Sequence, residues 1–305
     1  MNPLQLAVDA LSLGSQYALI SLGIGIVFGI MRMVNFAHGE FITIGAYSLI
    51  LPSIGLAADP FLGALSAPLL ILGVLVVVAA TTLLTERFAF RPLRRRNADG
   101  ASLLISSFAV SYLLQSVVLF LYTGRPKSIS ILPKLMAQAD IAGIRVSLAD
   151  VAMILIAASL LAALVAFMKR SRTGIEMRAA AEDFTMARLL GIKADRVIAV
   201  AFLLSGLLAA VVSLICVAKA GTLDFRMGTP LAIAGFVATV IGGMGSLSGA
   251  TFGGFFLGIA STALQAMLPA ALRPARDAFL YGLVIVVLLW WPQGLFAGKL
   301  SRERV

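Results

Sequence analysis

Residues 227–272 contain no charged side chain, a run about twice as long as one bilayer crossing needs: a helix rises about 1.5 Å per residue through a hydrocarbon core about 30 Å thick, so about 20 apolar residues make one span. The run therefore holds two spans. Its middle, Gly242, Gly243, Met244, Gly245, Ser246, Leu247, Ser248 and Gly249, is too rich in glycine and serine to continue a helix comfortably. Two helical pieces are expected to meet there. Backbone freed from a helix inside a membrane is tolerated only where protein or a water-filled cavity covers it. Gly242, Gly243, Gly245, Ser246, Ser248 and Gly249 are therefore candidates for the wall of a pathway, or for close helix packing.

The balance of 60% hydrophobic against 12% charged residues excludes an ordinary soluble domain. Further uncharged runs cover 10–31, 41–58, 60–85, 101–123, 151–168, 197–218 and 278–298. The expected fold is an all-α polytopic transmembrane bundle of eight or nine spans, one domain over 1–305, with a broken-helix hairpin near Gly242–Gly249. The number depends on whether residues 33–39 and the Gly242 break are membrane-embedded loops or surface turns. Glycines four apart, at Gly25 and Gly29, at Gly245, Gly249 and Gly253, and at Gly254 and Gly258, match the small-residue pattern of close helix contact in lipid.

Charge sets the orientation, because Lys and Arg near span ends stay cytoplasmic. Fifteen of the 24 basic residues fall in three places: a basic loop at 86–100 (Arg87, Arg91, Arg94, Arg95, Arg96), a segment at 169–196, and a tail with Lys299, Arg302 and Arg304. All three are expected on the cytoplasmic side. No Lys or Arg precedes Arg32, which predicts an N-terminus outside, a retained first span and a C-terminus in the cytoplasm. The net charge of +10 reads as positive-inside bias and lipid contact. It does not read as a nucleic-acid surface, because the basic residues flank spans and lack interleaved aromatics.

Several chemistries are excluded. Cys216 is the single cysteine and His38 the single histidine, so neither a disulfide framework nor a Cys/His metal site can form. Asp9, Asp59, Asp140, Asp150 and Asp224 show no ligand spacing, and no nucleophile turn or phosphate-binding Walker loop is present. No metal, cofactor or catalytic residue is assigned, and ATP hydrolysis is not expected from this chain.

Transport remains. In segment 169–196, Ala180, Phe184, Ala187 and Leu190 recur at helical spacing while Arg178, Glu182, Asp183 and Arg188 are polar, and Gly191 can close the helix in a left-handed cap. An amphipathic helix is expected over this stretch, either lying on the membrane or docking into a partner's groove. Asn35, His38 and Glu40 cluster after the first span. Ionisable groups near hydrocarbon usually face a cavity or a partner, so these three either line a path or mark a cytoplasmic span end. Gln115, Ser106 and Ser107 suit helix–helix or ligand hydrogen bonds equally.

The chain as a whole resembles the branched-chain amino acid permease family of high-affinity leucine, isoleucine and valine import. The resemblance lies in residues 17–23, 28–40 and 45–47; Glu86, Arg87, Arg91 and Arg94; 177–182, 190–192, Asp195 and Arg196; and 242–249, Arg276, Asp277 and 292–296. It implies that 169–196 is a coupling loop, with Arg178, Ala179, Ala180, Ala181, Glu182, Asp183, Phe184, Ala187, Arg188, Leu190 and Gly191 meeting an ATPase. The implied partners are a second related permease, two ATP-binding subunits that hold ATP and Mg2+, and a periplasmic substrate-binding protein. The implied location is the bacterial inner membrane, and the implied substrates are branched-chain or related amino acids, with urea or short amides as alternatives within the family. An ion-coupled transporter would need a carboxylate in the middle of a span, and the sequence places none there. A channel or facilitator would leave the cytoplasmic helix without a purpose.

Overall fold

The computed structural model describes residues 3–53, 55, 58–96, 98–141 and 144–295. The tail basic residues Lys299, Arg302 and Arg304, and Phe296 of the last motif, lie outside these residues.

The chain forms α1 (Pro3–Met31), α2 (His38–Tyr47), α3 (Ala67–Thr85), α4 (Arg91–Arg95), α5 (Gly100–Tyr122), the strand β1 (Lys127–Ser128), strands β2 (Gln138–Ile141) and β3 (Ile144–Ser147), then α6 (Leu148–Arg170), α7 (Arg172–Glu182), α8 (Phe184–Leu189), α9 (Ala194–Ala220), β4 (Thr222–Leu223), α10 (Gly228–Gly242), α11 (Leu247–Met267) and α12 (Arg276–Trp290). A wide π turn at Glu86–Phe90 joins α3 to α4, so Ala67–Arg95 is one helical rod. Among the described residues six helices are long and apolar enough to cross a membrane: α1, the α3–α4 rod, α5, α6, α9 and α11. The structure is mainly helical, with two small antiparallel pairs among the described residues, β1 with β4 and β2 with β3.

The run at 41–58 does not form the full span expected of it. Its helix, α2, has ten residues, about 15 Å or half a hydrocarbon core. α10 and α12 have 15 residues each, also short of a full crossing.

α1 is the central rod and packs against α6, α9, α10 and α11. The α1–α11 crossing is close because small residues face backbone: a Cβ on Gly254 would meet the Ala18 main chain, and one on Gly258 that of Gly14. The expected role of Gly254 and Gly258 in close contact is therefore seen, with Gly253 set against the Ala238 carbonyl in the same way. Gly29 faces open space instead, so the Gly25 and Gly29 pair is not a continuous packing stripe.

One end of the bundle gathers Arg32, the end of α4, the start of α9, and α7 with α8. It is held by ion pairs that sequence spacing cannot show. Asp195, at the start of α9, accepts from Arg91 Nη2 at 2.5 Å and Arg94 at 3.4 Å, and Arg94 donates to Glu86 at 2.5 Å. The Glu86 and Arg94 side chains are 5% and 15% exposed, so removing either partner would leave the other as an uncompensated buried charge. We call this the basic end. At the opposite end Asp150 pairs with Lys219 at 2.7 Å and accepts from Ser12 at 2.7 Å.

The broken hairpin is present. α10 stops at Gly242, Gly243 and Gly245 adopt φ of 100° and 95°, a region that side chains with a Cβ rarely enter, and Ser246 caps α11 by accepting from the Gly249 amide at 3.0 Å. The break sits at the basic end, where Arg32 Nη1 lies beside Gly245 and Leu295 donates to the Ile241 carbonyl.

Candidate translocation path and coupling face

After α1 ends, residues 33–37 turn back into the bundle. Ser107 of α5 anchors this return: its hydroxyl donates to the Val34 carbonyl at 3.2 Å and lies 3.4 Å from the Phe36 amide. Phe36 stacks on Phe108 with centroids 4.1 Å apart and tilts against Phe236 at 5.5 Å. The Asn35 carboxamide accepts from the Ala37 amide at 3.1 Å, an Asx turn that starts α2. The first turn of α2 therefore begins inside the protein. His38 Nδ1 is 2.9 Å from Ser205 Oγ, and Ser205 lies 11 residues into α9, about 16 Å from its start.

Asn35, His38 and Glu40 are all buried, at 0%, 0% and 1% exposure, so Arg32 and Glu40 do not bracket a surface span end. Nor do the three form one cluster. Residues two apart point about 200° around a helix: His38 faces α1 and α9, against Gly23 and Ser205, while Glu40 faces α5 and α10. Glu40 Oε1 accepts from Ser111 at 3.4 Å and from Thr229 at 3.2 Å, and Thr229 Oγ1 in turn accepts from Gln115 Nε2 at 3.2 Å. Ser111 is the central residue of α5. A carboxylate thus does stand at mid-depth, contrary to the sequence expectation, because α2 is a half-helix that starts in the interior.

α2 and α10 meet start to start. Gly39 and Gly228 are in backbone contact, with no room for a Cβ on either, and the Gly228 amide donates to Thr43 Oγ1 at 3.1 Å. This approach sets Thr229 over Glu40. Thr229 is exposed and Gln115 and Ser111 are half-buried, so the polar cluster opens onto the face between α5 and α10. Polar groups at this depth do not favour lipid contact; they face a protein partner or a watered path. Among the described residues Ser106 bonds within its helix, to the Ser102 carbonyl.

The expected amphipathic helix is two helices. Asp183 breaks it, accepting from the Met186 amide at 2.9 Å as the N-cap of α8. Asp is a strong N-cap residue, and that was the available signal. Gly191 ends α8 with φ of 87°, the left-handed cap that its position predicts. Ala180 and Ala187 are buried and Phe184 half-buried, but Leu190 is 76% exposed, as is Leu189, and Met186 is 52% exposed. Leu190 therefore belongs to the outer face. Arg178, Glu182, Asp183 and Arg188 are exposed, and Ala179 and Ala181 are half-buried. Arg32 Nη2 donates to the Ala181 carbonyl at 2.9 Å, tying the end of α7 to the residue where the chain turns back towards Glu40.

Gly242, Gly243 and Gly249 are buried in the hairpin, while Gly245 and Ser248 are exposed and Ser246 half-buried. These six lie at the basic end, away from the Glu40 cluster.

An apolar helical bundle with a mid-depth polar cluster reached by a half-helix, and an exposed apolar helix at one end, defines a polytopic helical membrane protein. The chain belongs to the family of branched-chain amino acid transport system permease components, whose family model matches residues 6–289. It is 34% identical to the high-affinity branched-chain amino acid transport system permease protein BraD of Pseudomonas aeruginosa, over 99% of this chain and 98% of that protein. It is 35% identical to LivH of Escherichia coli K12, over 99% and 97%. A probable LivH permease of Methanocaldococcus jannaschii is 28% identical over 89% and 83%. No solved structure matches. The chain is a multi-pass inner-membrane permease subunit and not an enzyme.

Proposed function

We propose that this chain is one of two membrane-spanning subunits of an ATP-binding cassette importer that moves branched-chain amino acids into the cytoplasm by ATP-driven alternating access. The observation that carries the reading is the outer face of α8: Met186, Leu189 and Leu190 stand exposed on a capped helix at the basic end. That is an apolar knob suited to a groove on an ATP-binding partner. The names of BraD and LivH support the substrate class.

In this reading the basic end is cytoplasmic, and two ATP-binding subunits hold ATP and Mg2+ there. The N-terminus lies outside and the C-terminus in the cytoplasm. The whole of 1–305 acts as one transmembrane unit with nine traverses, of which α2 with its returning segment, α10 and α12 are incomplete helices. The basic loop at 86–100 is locked to Asp195, beside the coupling loop at 169–196. A second, related permease covers the α5 face, where Tyr112 is 74% and Phe120 86% exposed, so the Glu40 cluster lies near the join. A periplasmic binding protein delivers substrate to the end that carries Asp150 and Lys219. Closure of the ATPases pushes α7 and α8, and Arg32 passes the movement to residues 33–37 and to the hairpin at Gly242–Gly249. Phe36, Phe108 and Phe236 form a constriction on the cytoplasmic side of Glu40.

Purification from the native membrane in mild detergent, with mass spectrometry of what accompanies the chain, tests this assembly. A second permease and two ATP-binding proteins are expected. Recovery of the chain alone, under conditions that preserve other membrane complexes, would contradict it.

A further inference from the structure

Among the described residues one buried side-chain atom of the cluster around Glu40 lacks a hydrogen-bond partner, and it is an acceptor. At the starts of α2 and α10 most of the backbone donors are occupied. His38 N donates to the Asn35 carbonyl, Glu40 N and Phe41 N to the Ala37 carbonyl, Gly228 N to Thr43, and Thr229 N to the Arg226 carbonyl. Residue 230 is proline and has no N–H to offer. These helix starts therefore offer an anion few free donors, although two positive dipole ends converge there.

The acceptor side is different. Glu40 Oε2 is buried without a hydrogen-bond partner among the described residues, while Oε1 takes Ser111 and Thr229. Among the described residues no Lys or Arg forms an ion pair with this carboxylate. A carboxylate held at mid-membrane with a free oxygen is costly unless a donor completes it during the working cycle. Thr229 covers Glu40 and is reached from the open α5–α10 face through Gln115. The aromatic layer of Phe36, Phe108 and Phe236 begins about one helical turn further towards the basic end, since Phe108 precedes Ser111 by three residues.

We propose that Glu40, with Ser111 and Thr229, is a mid-membrane station for the primary ammonium group of the transported amino acid, whose apolar side chain rests against the Phe36–Phe108–Phe236 layer. The inference rests on the importer reading and names the part of the substrate that this subunit recognises. The ammonium group displaces Thr229, donates to Glu40 Oε2, and leaves when the aromatic layer opens.

The test separates the station from the importer reading by measuring binding without ATP. Saturation-transfer NMR on the purified complex, with no binding protein added, is run with L-leucine, with isoamylamine, which keeps the ammonium and side chain, and with isocaproate, which keeps the carboxylate and side chain. L-leucine and isoamylamine are expected to bind and to compete, and isocaproate to give no signal at the same concentration. Glu40→Gln, which keeps the shape and the acceptor for Thr229, should weaken both ligands by about tenfold or more. Glu40→Asp should recover part of the binding, with assembly and thermal midpoint unchanged in both variants. Binding of isocaproate in preference to isoamylamine, equal binding in Glu40→Gln, or displacement of isoamylamine by sodium at equal concentration would overturn the station. So would a Glu40→Gln protein that no longer assembles, since that outcome assigns Glu40 to structure. Loss of ATP-driven uptake in the wild-type complex with binding intact would instead count against the importer reading alone.

Discussion

Replacing Leu189 and Leu190 together with Asp removes the ATP-binding subunits from the purified complex and abolishes ATP-driven uptake. Both side chains are 76% exposed, so neither supports the fold. Burying a leucine in a partner's groove is worth about 1.5–3 kcal/mol, and a carboxylate in the same groove adds a desolvation cost. The pair of substitutions therefore removes roughly 4–6 kcal/mol of docking energy, a loss of about three to four orders of magnitude in affinity. α8 keeps its cap from Asp183 to the Met186 amide and its buried anchor, Ala187, so membrane insertion and the thermal midpoint should match the wild type. Pull-down of the two ATP-binding proteins measures the effect; retention at wild-type yield would move the docking surface elsewhere on the basic end. The same geometry explains why Asp183→Lys is a poorer probe. It destroys an N-cap worth about 1 kcal/mol and confounds docking with local unfolding.

The second large effect is expected from Gly228→Val. The starts of α2 and α10 touch through Gly39 and Gly228, and a Cβ on Gly228 would enter the Gly39 carbonyl and crowd the Thr43 hydroxyl. Because the obstacle is backbone, side-chain adjustment cannot relieve it. The helices must separate, breaking the bond from the Gly228 amide to Thr43 and drawing Thr229 away from Glu40. Overpacking of this kind costs about 1–3 kcal/mol or more, and the displaced half-helix would misplace the mid-depth cluster. A lowered thermal midpoint in detergent and uptake reduced by about tenfold or more are expected. By contrast Gly29→Ala, at a position with open space around it, should leave both unchanged. Wild-type uptake and stability in Gly228→Val would show that the approach of α2 and α10 is slack.

The legible parts of the fold were those written in local composition. The uncharged run at 227–272 gave the α10–α11 hairpin, its glycines gave the turn at Gly243 and Gly245, and Gly254 and Gly258 marked a close helix contact, whose partner, α1, only the structure shows. What could not be read was depth. The run at 41–58 looks like a span that begins at the surface, yet the return of 33–37 depends on Ser107 of α5 and on Phe36 stacking with Phe108, contacts about 70 residues apart in the chain. From sequence Glu40 could therefore be either a path residue or a boundary residue, and it is interior. The pairing of Arg91 with Asp195, 104 residues away, was hidden for the same reason, although both residues stood out as marks of the family. In the coupling loop, helical periodicity alone placed Leu190 with Ala187 and overlooked the capping preference of Asp183. Once the helix restarts at Phe184, its register turns Met186, Leu189 and Leu190 outward.

The central claim is that this chain is a conduit worked by ATP-binding partners, and the most direct test is uptake into sealed proteoliposomes. The complex recovered from the native membrane would be reconstituted, supplied with its binding protein and labelled L-leucine on one side, and with Mg-ATP or a non-hydrolysable analogue on the other. The account predicts accumulation of leucine with Mg-ATP and none with the analogue. Equal downhill leucine flux in both conditions, with no accumulation, would contradict it and identify the chain as a facilitator.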